Sequence, residues 1–521
     1  MLAGMRPRRL LAWIAALAAC AAVAPAGASA ATWAKLSPDD VSSIDQAAVV
    51  TQGARVVAAW PAGAGTDLAD RIEFRGFAPT PTSSLAGAGA VATAAGGFTN
   101  VSQRPGLVLR GTASELIVIT GGTIAGTDRT FLTAALTEGA TPATPPTVIA
   151  AQLNGALDAL ALPDGGLIVA NMENGVLHTF RDAVPVDGFD IQAGLGGGCC
   201  SYHPALGRDG AGRVWLAWYS NATGHTGIFL QQLDAATGGP VGTPTLVPQS
   251  ESPANNQNRL ALACSPLAGG GCRIAYAAQP TATAPLRVAS WAPGDATPTT
   301  VATATLSLSV PLTAAYRADG KLWVAWYDPG LSGSASGFSA TLGNARGAGG
   351  TTARIGQPTG LVQALDLEST TVADNLVLVG TISTGAQRAA LWTNLVQPPD
   401  QVIENPRTIR NGPAQVVAPR GVSLVGLKRT KCVRVRVSVT APSRVLVAIY
   451  SGRKSIRIFG QLVVRFGAPG TKVVCVRVPF RAKTFNVRTP ARIAIAVRDG
   501  ATARAGEPPA KVVTKDFRFF Q

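Results

Sequence analysis

Charge and histidine are scarce in this chain. Only 14% of its 521 residues are Asp, Glu, Lys or Arg, and three are His. So few imidazoles, with no Cys-x-x-Cys pair among seven cysteines, leave no ligand set for a structural zinc site. Nucleophile-elbow, HExxH, P-loop and EF-hand patterns are also missing, and no cofactor is expected. After residue 30 no apolar run reaches the roughly 18 residues that a spanning helix needs, which excludes a multi-span helical membrane protein. Apolar residues are plentiful, at 47%, alongside 58 Gly and 36 Pro. That fraction is too high for a disordered chain, and the length is too great for one compact core. Two or more domains, or a repeat architecture, are expected.

The first thirty residues decide location. Arg6, Arg8 and Arg9 precede the apolar stretch 10–24, Pro25-Ala26-Gly27 breaks it, and Ala28-Ser29-Ala30 follows. Basic, apolar, breaker and small-x-small in that order predict a signal peptide over residues 1–30, cleaved after Ala30. An extracellular or cell-envelope location follows. Leu17-Ala18-Ala19-Cys20 resembles the lipobox of bacterial lipoproteins, so lipid anchoring through Cys20 is the alternative. In an oxidising compartment the other six cysteines read as disulfides. Cys264 with Cys272 and Cys432 with Cys475 are the local pairs. Adjacent Cys199 and Cys200 form a vicinal bond, with free thiols or a bond to another chain as alternatives.

Charge divides the chain. Residues 421–521 hold 21 Lys and Arg against 3 Asp and Glu, a balance of +18. Residues 1–420 hold 24 basic and 26 acidic groups, and without the three leader arginines the balance there is −5. The stretch 397–420, rich in Pro and polar residues, reads as a linker between domains 31–396 and 421–521.

The first of these domains is repetitive. One short apolar strand recurs seven times: Arg55-Val-Val-Ala-Ala-Trp60, Glu115-Leu-Ile-Val-Ile-Thr120, Gly166-Leu-Ile-Val-Ala-Asn171, Arg213-Val-Trp-Leu-Ala-Trp218, Arg273-Ile-Ala-Tyr-Ala-Ala278, Lys321-Leu-Trp-Val-Ala-Trp326 and Asn375-Leu-Val-Leu-Val-Gly380. The strand ends fall 60, 51, 47, 60, 48 and 54 residues apart. Asp164-Gly165, Asp209-Gly210 and Asp319-Gly320 precede three copies, and Asp-Gly between apolar runs marks a hairpin. Antiparallel strands at this period, with no helical periodicity between them, predict an all-β seven-bladed β-propeller, alternatively six-bladed. The segment 31–36 is expected to complete the last blade. Trp215, Trp218, Trp323 and Trp326 read as core, because residues three apart on a strand point to opposite faces and make no flat sugar platform.

In a blade the connector leading into the innermost strand lies at the mouth of the central channel. These connectors contain Asp45-Gln46, Gln103-Arg104, Asn154, the run from Cys199 to Pro204, and Asn255-Asn256-Gln257-Asn258-Arg259. Amides and arginines there suit hydrogen bonding to a polar ligand such as a glycan. The expected ligand-binding residues are Arg104, Asn154, Tyr202, His203, Asn256, Asn258 and Arg259. His203 is the best single candidate for acid–base work, although one His without an identified partner is more often structural or binding.

The run Cys199-Cys200-Ser-Tyr-His-Pro-Ala-Leu-Gly-Arg-Asp-Gly-Ala-Gly-Arg-Val-Trp-Leu-Ala-Trp218 resembles one blade of secreted bacterial sialidase-like (BNR-type) propeller proteins. The resemblance covers about 20 residues, with weaker echoes ahead of Trp60 and Trp326, and implies fold more than activity. Sialidases of that kind carry Asp-boxes of the S-x-D-x-G-x-x-W type and an early Arg-Ile-Pro. Neither occurs here, and Phe74-Arg75-Gly76-Phe77 is no substitute.

In the basic domain, Cys432-Val-Arg-Val-Arg-Val-Ser-Val439 and Val474-Cys-Val-Arg-Val478 alternate strictly, with Val inward and Arg outward. With segments at 444–450, 456–458, 461–466, 492–497 and 511–519, a small immunoglobulin-like β-sandwich is expected. It resembles the basic C-terminal modules of other secreted actinobacterial proteins. Cys432 and Cys475 share the Arg phase, which predicts a surface cross-strand bond. An outward stripe with Arg434, Arg436, Arg457 and Arg477 suits polyanions such as acidic wall polymers or lipid headgroups. No nucleic-acid partner is expected outside the cytoplasm, and the protein is expected to be a monomer. The function read from the sequence is non-catalytic binding of carbohydrate or another surface ligand, with the cationic module for attachment. A glycan-active hydrolase or lyase is the alternative, and a protein-interaction scaffold the second alternative.

Overall fold

The computed structural model describes residues 33–38, 46–63, 69–80, 85, 88–101, 105–110, 115–133, 147–150, 156–173, 176–182, 189–191, 201–251, 260–281, 284–306, 310–329, 336–384, 389–398, 406–424, 427, 430–451, 458–478, 491–499 and 511–520. The leader reading of residues 1–30 and the vicinal pair Cys199–Cys200 lie outside them. Two compact units divide the chain, one over Ala30–Pro398 and the other containing Pro399–Gln521.

Among the described residues the first unit holds seven antiparallel sheets, or blades, at 48–96, 100–150, 157–190, 201–246, 260–306, 312–355 and 361–396. Each contains one of the seven apolar strands as its second strand, counting from the innermost or first strand, which in blade two is Gly106–Arg110 and follows the short strand Asn100–Val101. The first strands of the blades neighbour one another in cyclic order, and the strand of blade seven, Leu361–Val372, returns to that of blade one, Ala48–Gln52. This is a closed propeller. The N-terminal strand Ala34–Lys35 pairs with Ala390–Val396 as the outermost strand of blade seven, with Ala34 opposite Thr393 and Lys35 opposite Trp392. The two ends of the ring are thus held together by backbone hydrogen bonds, extended by Leu36 N–H to Leu391 O at 2.8 Å.

The second strands read as continuous apolar runs because both faces of a blade pack on neighbours. In Arg55–Ala62 every residue after Arg55 is buried, and in Leu322–Asp328 all are. The core is accordingly a wheel of inter-blade clusters. Trp60 and Val56 pack between blades seven and one, and Trp218 and Phe229 between three and four. Trp323 and Trp326 belong to the cluster of blades five to seven. Trp60, Trp218, Trp323 and Trp326 are all at most 1% exposed, as core residues should be, whereas Trp215, also expected in the core, is half-buried.

The first-to-second-strand turns show two uses of glycine. Gly165 and Gly320 take positive φ, 87° and 78°, which glycine tolerates without a Cβ clash. In blade four that role passes to Gly212, at φ 85°, while Gly210 packs a turn edge against the backbone carbonyl of Leu267, where a Cβ would collide. Both expected local disulfides are present. Cys264 and Cys272 stand directly opposite each other on the first two strands of blade five.

The second unit is a sandwich of two sheets over one apolar core. One sheet orders Pro406–Asn411, Ala414–Pro419, Cys432–Val439 and Gly470–Arg477. The other orders Gly421–Ser423, Lys511–Phe520, Ala491–Asp499, Ser443–Ser451 and Ile458–Phe466. The linker expected over 397–420 is corrected here: 406–419 is a hairpin of the sandwich, with Ile409, Val416 and Ala418 buried. Its proline content suggests a connector, but Pro406 and Pro419 pair at the open end of the hairpin, Pro419 beyond the residues that pair with Cys432–Val439, and Pro413 sits in its turn, so none interrupts a strand. Cys432 and Cys475 are bonded across neighbouring strands, with Cys475 exposed and Cys432 half-buried.

Candidate functional site

The expected ligand site draws on the segments that lead into the first strands. Of the expected ligand-binding residues, Arg104, Asn154, Asn256, Asn258 and Arg259 lie outside the described residues, and Tyr202 and His203 lie within them. Both belong to Ser201–Arg208, the first strand of blade four. Its pairing runs Tyr202 to Tyr219 and then Ala205 to Ala217, so one extra residue is accommodated at His203-Pro204. Pro204 has no N–H to give to the ladder, and a bulge is where a strand tolerates it. His203 takes the left-handed region, φ 54°, which turns the chain at that point. A strained residue of this kind persists only where its surroundings hold it.

Its surroundings include the opposite side of the ring. Gln46 leads into the first strand of blade one, and its Nε2 is 3.5 Å from His203 Nδ1. Blades one and four stand three places apart in the ring of seven sheets, so this contact spans the channel mouth. Gln46 is 6% exposed, and its Oε1 is buried with no hydrogen-bond partner among the described residues. Rotating the amide by half a turn would let Oε1 accept from a protonated Nδ1 and leave the N–H donors over instead. Either way one polar end of a buried amide is unfilled, and such a group costs free energy until something bonds to it. Tyr202 completes the cluster, its ring centroid 6.5 Å from that of His203 and 6.4 Å from that of Tyr219. Burial, with a smaller contribution from Tyr202, pushes the Tyr219 hydroxyl above its usual pKa, so it stays a neutral phenol at neutral pH.

Gln46 is a functional candidate that the sequence reading left among the connectors. Its signal was only the amide-rich character it shares with the others. Carboxylates on the first strands were also passed over. Asp158 accepts from Ala159 N–H at 2.9 Å and, across to blade four, from Leu206 N–H at 2.7 Å, so it pins two inner strands together. Asp366 and Glu368 stand two residues apart on Leu361–Val372, buried and half-buried. Strand geometry puts them on one face with Cα atoms about 6.6 Å apart. His178 stands opposite Asp190 on the edge pair of blade three, away from the inner strands. Among the described residues no group of three His, Cys, Asp or Glu is placed to hold a metal ion.

The sandwich carries the cationic candidates. Arg434 and Arg436 are half-buried and Arg477 exposed on the outer face of the four-stranded sheet, while Arg457 lies outside the described residues. Arg434 stands opposite Cys475 and Arg477 opposite Cys432, so the disulfide sits within the arginine face.

No protein-family model matches the chain, and no curated protein matches it. Among solved structures it is similar to an ulvan lyase described as a new polysaccharide lyase family, at 7% identity and TM-score 0.44, over 70% of this chain and 95% of that one. A WD40 domain of Toxoplasma gondii coronin aligns at 13% identity and TM-score 0.41, over 72% and 88%. Trypanosoma rangeli sialidase aligns at 8% identity and TM-score 0.35, over 94% and 93%. Likenesses of this strength carry no argument about activity. The fold assignment rests on the sheet order and the cyclic neighbouring of first strands.

Proposed function

We propose that this protein is an exported propeller that binds carbohydrate, or another hydroxyl-rich surface ligand, at the channel mouth without converting it. The cationic sandwich attaches it to anionic surface polymers. The observation that carries the first part is the unfilled polar end of Gln46, buried beside His203 and Tyr202. A sugar hydroxyl both donates and accepts, so it suits whichever end of the amide is open, and a tyrosine ring beside it offers an apolar wall.

Asp366 and Glu368 favour a second reading, a glycan-active hydrolase or lyase. Two carboxylates on one face of an inner strand are the kind of pair that glycan cleavage employs, with carboxyl groups roughly 5–10 Å apart. The chain from Ala31 to Gln521, incubated with a library of oligosaccharides and wall polymers and read by mass spectrometry, separates the two. Retention of intact glycans, lost in Gln46→Ala and His203→Ala, is the expected result. Shortened or unsaturated products that vanish in Asp366→Asn or Glu368→Gln would replace binding with catalysis. Neither retention nor products would leave the scaffold reading, in which the Gln46–His203 contact closes the channel.

A further inference from the structure

The outer face of the five-stranded sheet in the second unit carries two unlike rows that no single strand reveals. Ser443–Ser451 lies between Ile458–Phe466 and Ala491–Asp499. The register sets Arg444 opposite Arg465 on one side and opposite Arg498 on the other, so three guanidinium-bearing residues form one line across the sheet. Two residues along, Leu446 stands opposite Val463 and Ala496, and Ala496 stands opposite Val512. That second line is wholly apolar. Val463 and Val512 are 42% and 51% exposed, and Ile458, further along the same face, is 55% exposed. The alternate residues Val445, Val447, Ile493 and Ile495 fill the core, so both lines face away from it. Strand rise separates the lines by about 7 Å.

Like charges opposite one another weaken a sheet, and exposed Val and Ile side chains in a line gain nothing from water. A hydrated anionic polymer answers the first feature and not the second. The interface of an anionic bilayer answers both, because phosphates and acyl chains lie within about 5–10 Å of one another in depth. A unit with a +18 balance over 421–521 is drawn to such a surface over about a Debye length. We propose that this face docks on anionic lipid, with Arg444, Arg465 and Arg498 at the headgroup phosphates and Leu446, Val463 and Val512 entering the interface. The inference rests on the attachment role proposed above. It goes beyond that role by committing to lipid, and to this sheet rather than the one bearing Arg434, Arg436 and Arg477.

The test is co-sedimentation of the chain from Ala31 to Gln521 with phosphatidylcholine vesicles, with and without phosphatidylglycerol, beside binding to soluble polyphosphate. Only the phosphatidylglycerol vesicles should carry the protein down. Replacing Leu446, Val463 and Val512 together by Thr should weaken vesicle binding about tenfold and leave polyphosphate binding unchanged. Replacing Arg444, Arg465 and Arg498 together by Gln should weaken both. Val463→Trp, a milder change on an exposed site, should tighten vesicle binding several-fold. Vesicle binding that ignores the threonine and tryptophan substitutions, or polyphosphate binding without vesicle binding, overturns the lipid inference and leaves attachment by charge alone. Binding to neither overturns the attachment role as well.

Discussion

Asp209 shows how much one side chain organises here. Its carboxylate is fully buried, and Oδ1 accepts from Ala211 N–H at 3.0 Å and Arg213 N–H at 2.9 Å. Oδ2 accepts from Arg213 Nε at 2.8 Å and from the Trp215 indole N–H at 3.3 Å. The turn between the first two strands of blade four is therefore folded around one acidic group, and Asp209→Ala leaves four donors unanswered. We expect a loss of about 3 kcal/mol. From Ala31 on, all eight Trp precede Pro399, so urea unfolding of the chain from Ala31 to Gln521 followed by Trp fluorescence reads the first unit alone and checks this value. His203 gives the opposite contrast. Its left-handed backbone costs about 1 kcal/mol that glycine would not incur. His203→Gly should therefore unfold at the same or higher urea concentration while glycan retention disappears. A clear fall in stability would instead make the Gln46 contact a structural brace. At this scale the sequence was legible in part. Tyr202 and His203 could be placed at the mouth from their position ahead of an Asp-Gly turn, but the approach of Gln46 could not. Nothing local in residues 45–48 signals a contact across a ring whose geometry depends on seven units.

Among the elements, the strand Ala34–Lys35 has only two residues and is among the most consequential. It gives blade seven a fourth strand from the other end of the unit, and it seats Trp33 and Leu36, 5% and 0% exposed, against the core. Without it the strand Ala390–Val396 would present an open edge, which invites pairing with another chain. Leu36→Ala is expected to cost about 3 kcal/mol through the cavity left between blades seven and one. The same fluorescence-monitored urea unfolding measures it, and a cost near zero would mean that the closing strand is held by its backbone bonds alone. The two units also show why some strands are easy to see in a sequence. Cys432–Val439 alternates between half-buried and buried because one face meets water. The second strands of the blades are buried on both faces and appear as unbroken apolar runs, legible through their repetition at about fifty-residue intervals. The hairpin 406–419 has neither a strict alternation nor a repeat to announce it, and its prolines point to a connector. Its membership in a sheet becomes apparent only from the partner strand, with Gln415 opposite Ser438 and Val417 opposite Arg436.

At the scale of the whole molecule, two compact units carry opposite balances of charge and, among the described residues, one local disulfide each. Composition made that division visible, because net charge needs no knowledge of pairing. It could not disclose the three-arginine line beside an apolar line, which exists only once four strands are in register. The disulfides differ in what they constrain. Cys264 and Cys272 are 8 residues apart in the chain, and Cys432 and Cys475 are 43 apart. Loop-closure entropy then assigns about 2.5 kcal/mol to the first bond and about 4 kcal/mol to the second. Access runs the same way, since Cys475 is exposed while Cys272 is only 2% exposed. A mild reductant applied to the native chain should therefore open the bond of greater energetic weight first. Alkylation followed by mass spectrometry should find Cys432 and Cys475 labelled before Cys264 and Cys272. At that stage the second unit should lose hydrogen-exchange protection, while the Trp fluorescence of the first unit is unchanged. Labelling in the reverse order would mean that blade five opens more readily than the exposed face of the sandwich. Blade five, rather than the sandwich, would then be the part of the molecule most sensitive to redox conditions.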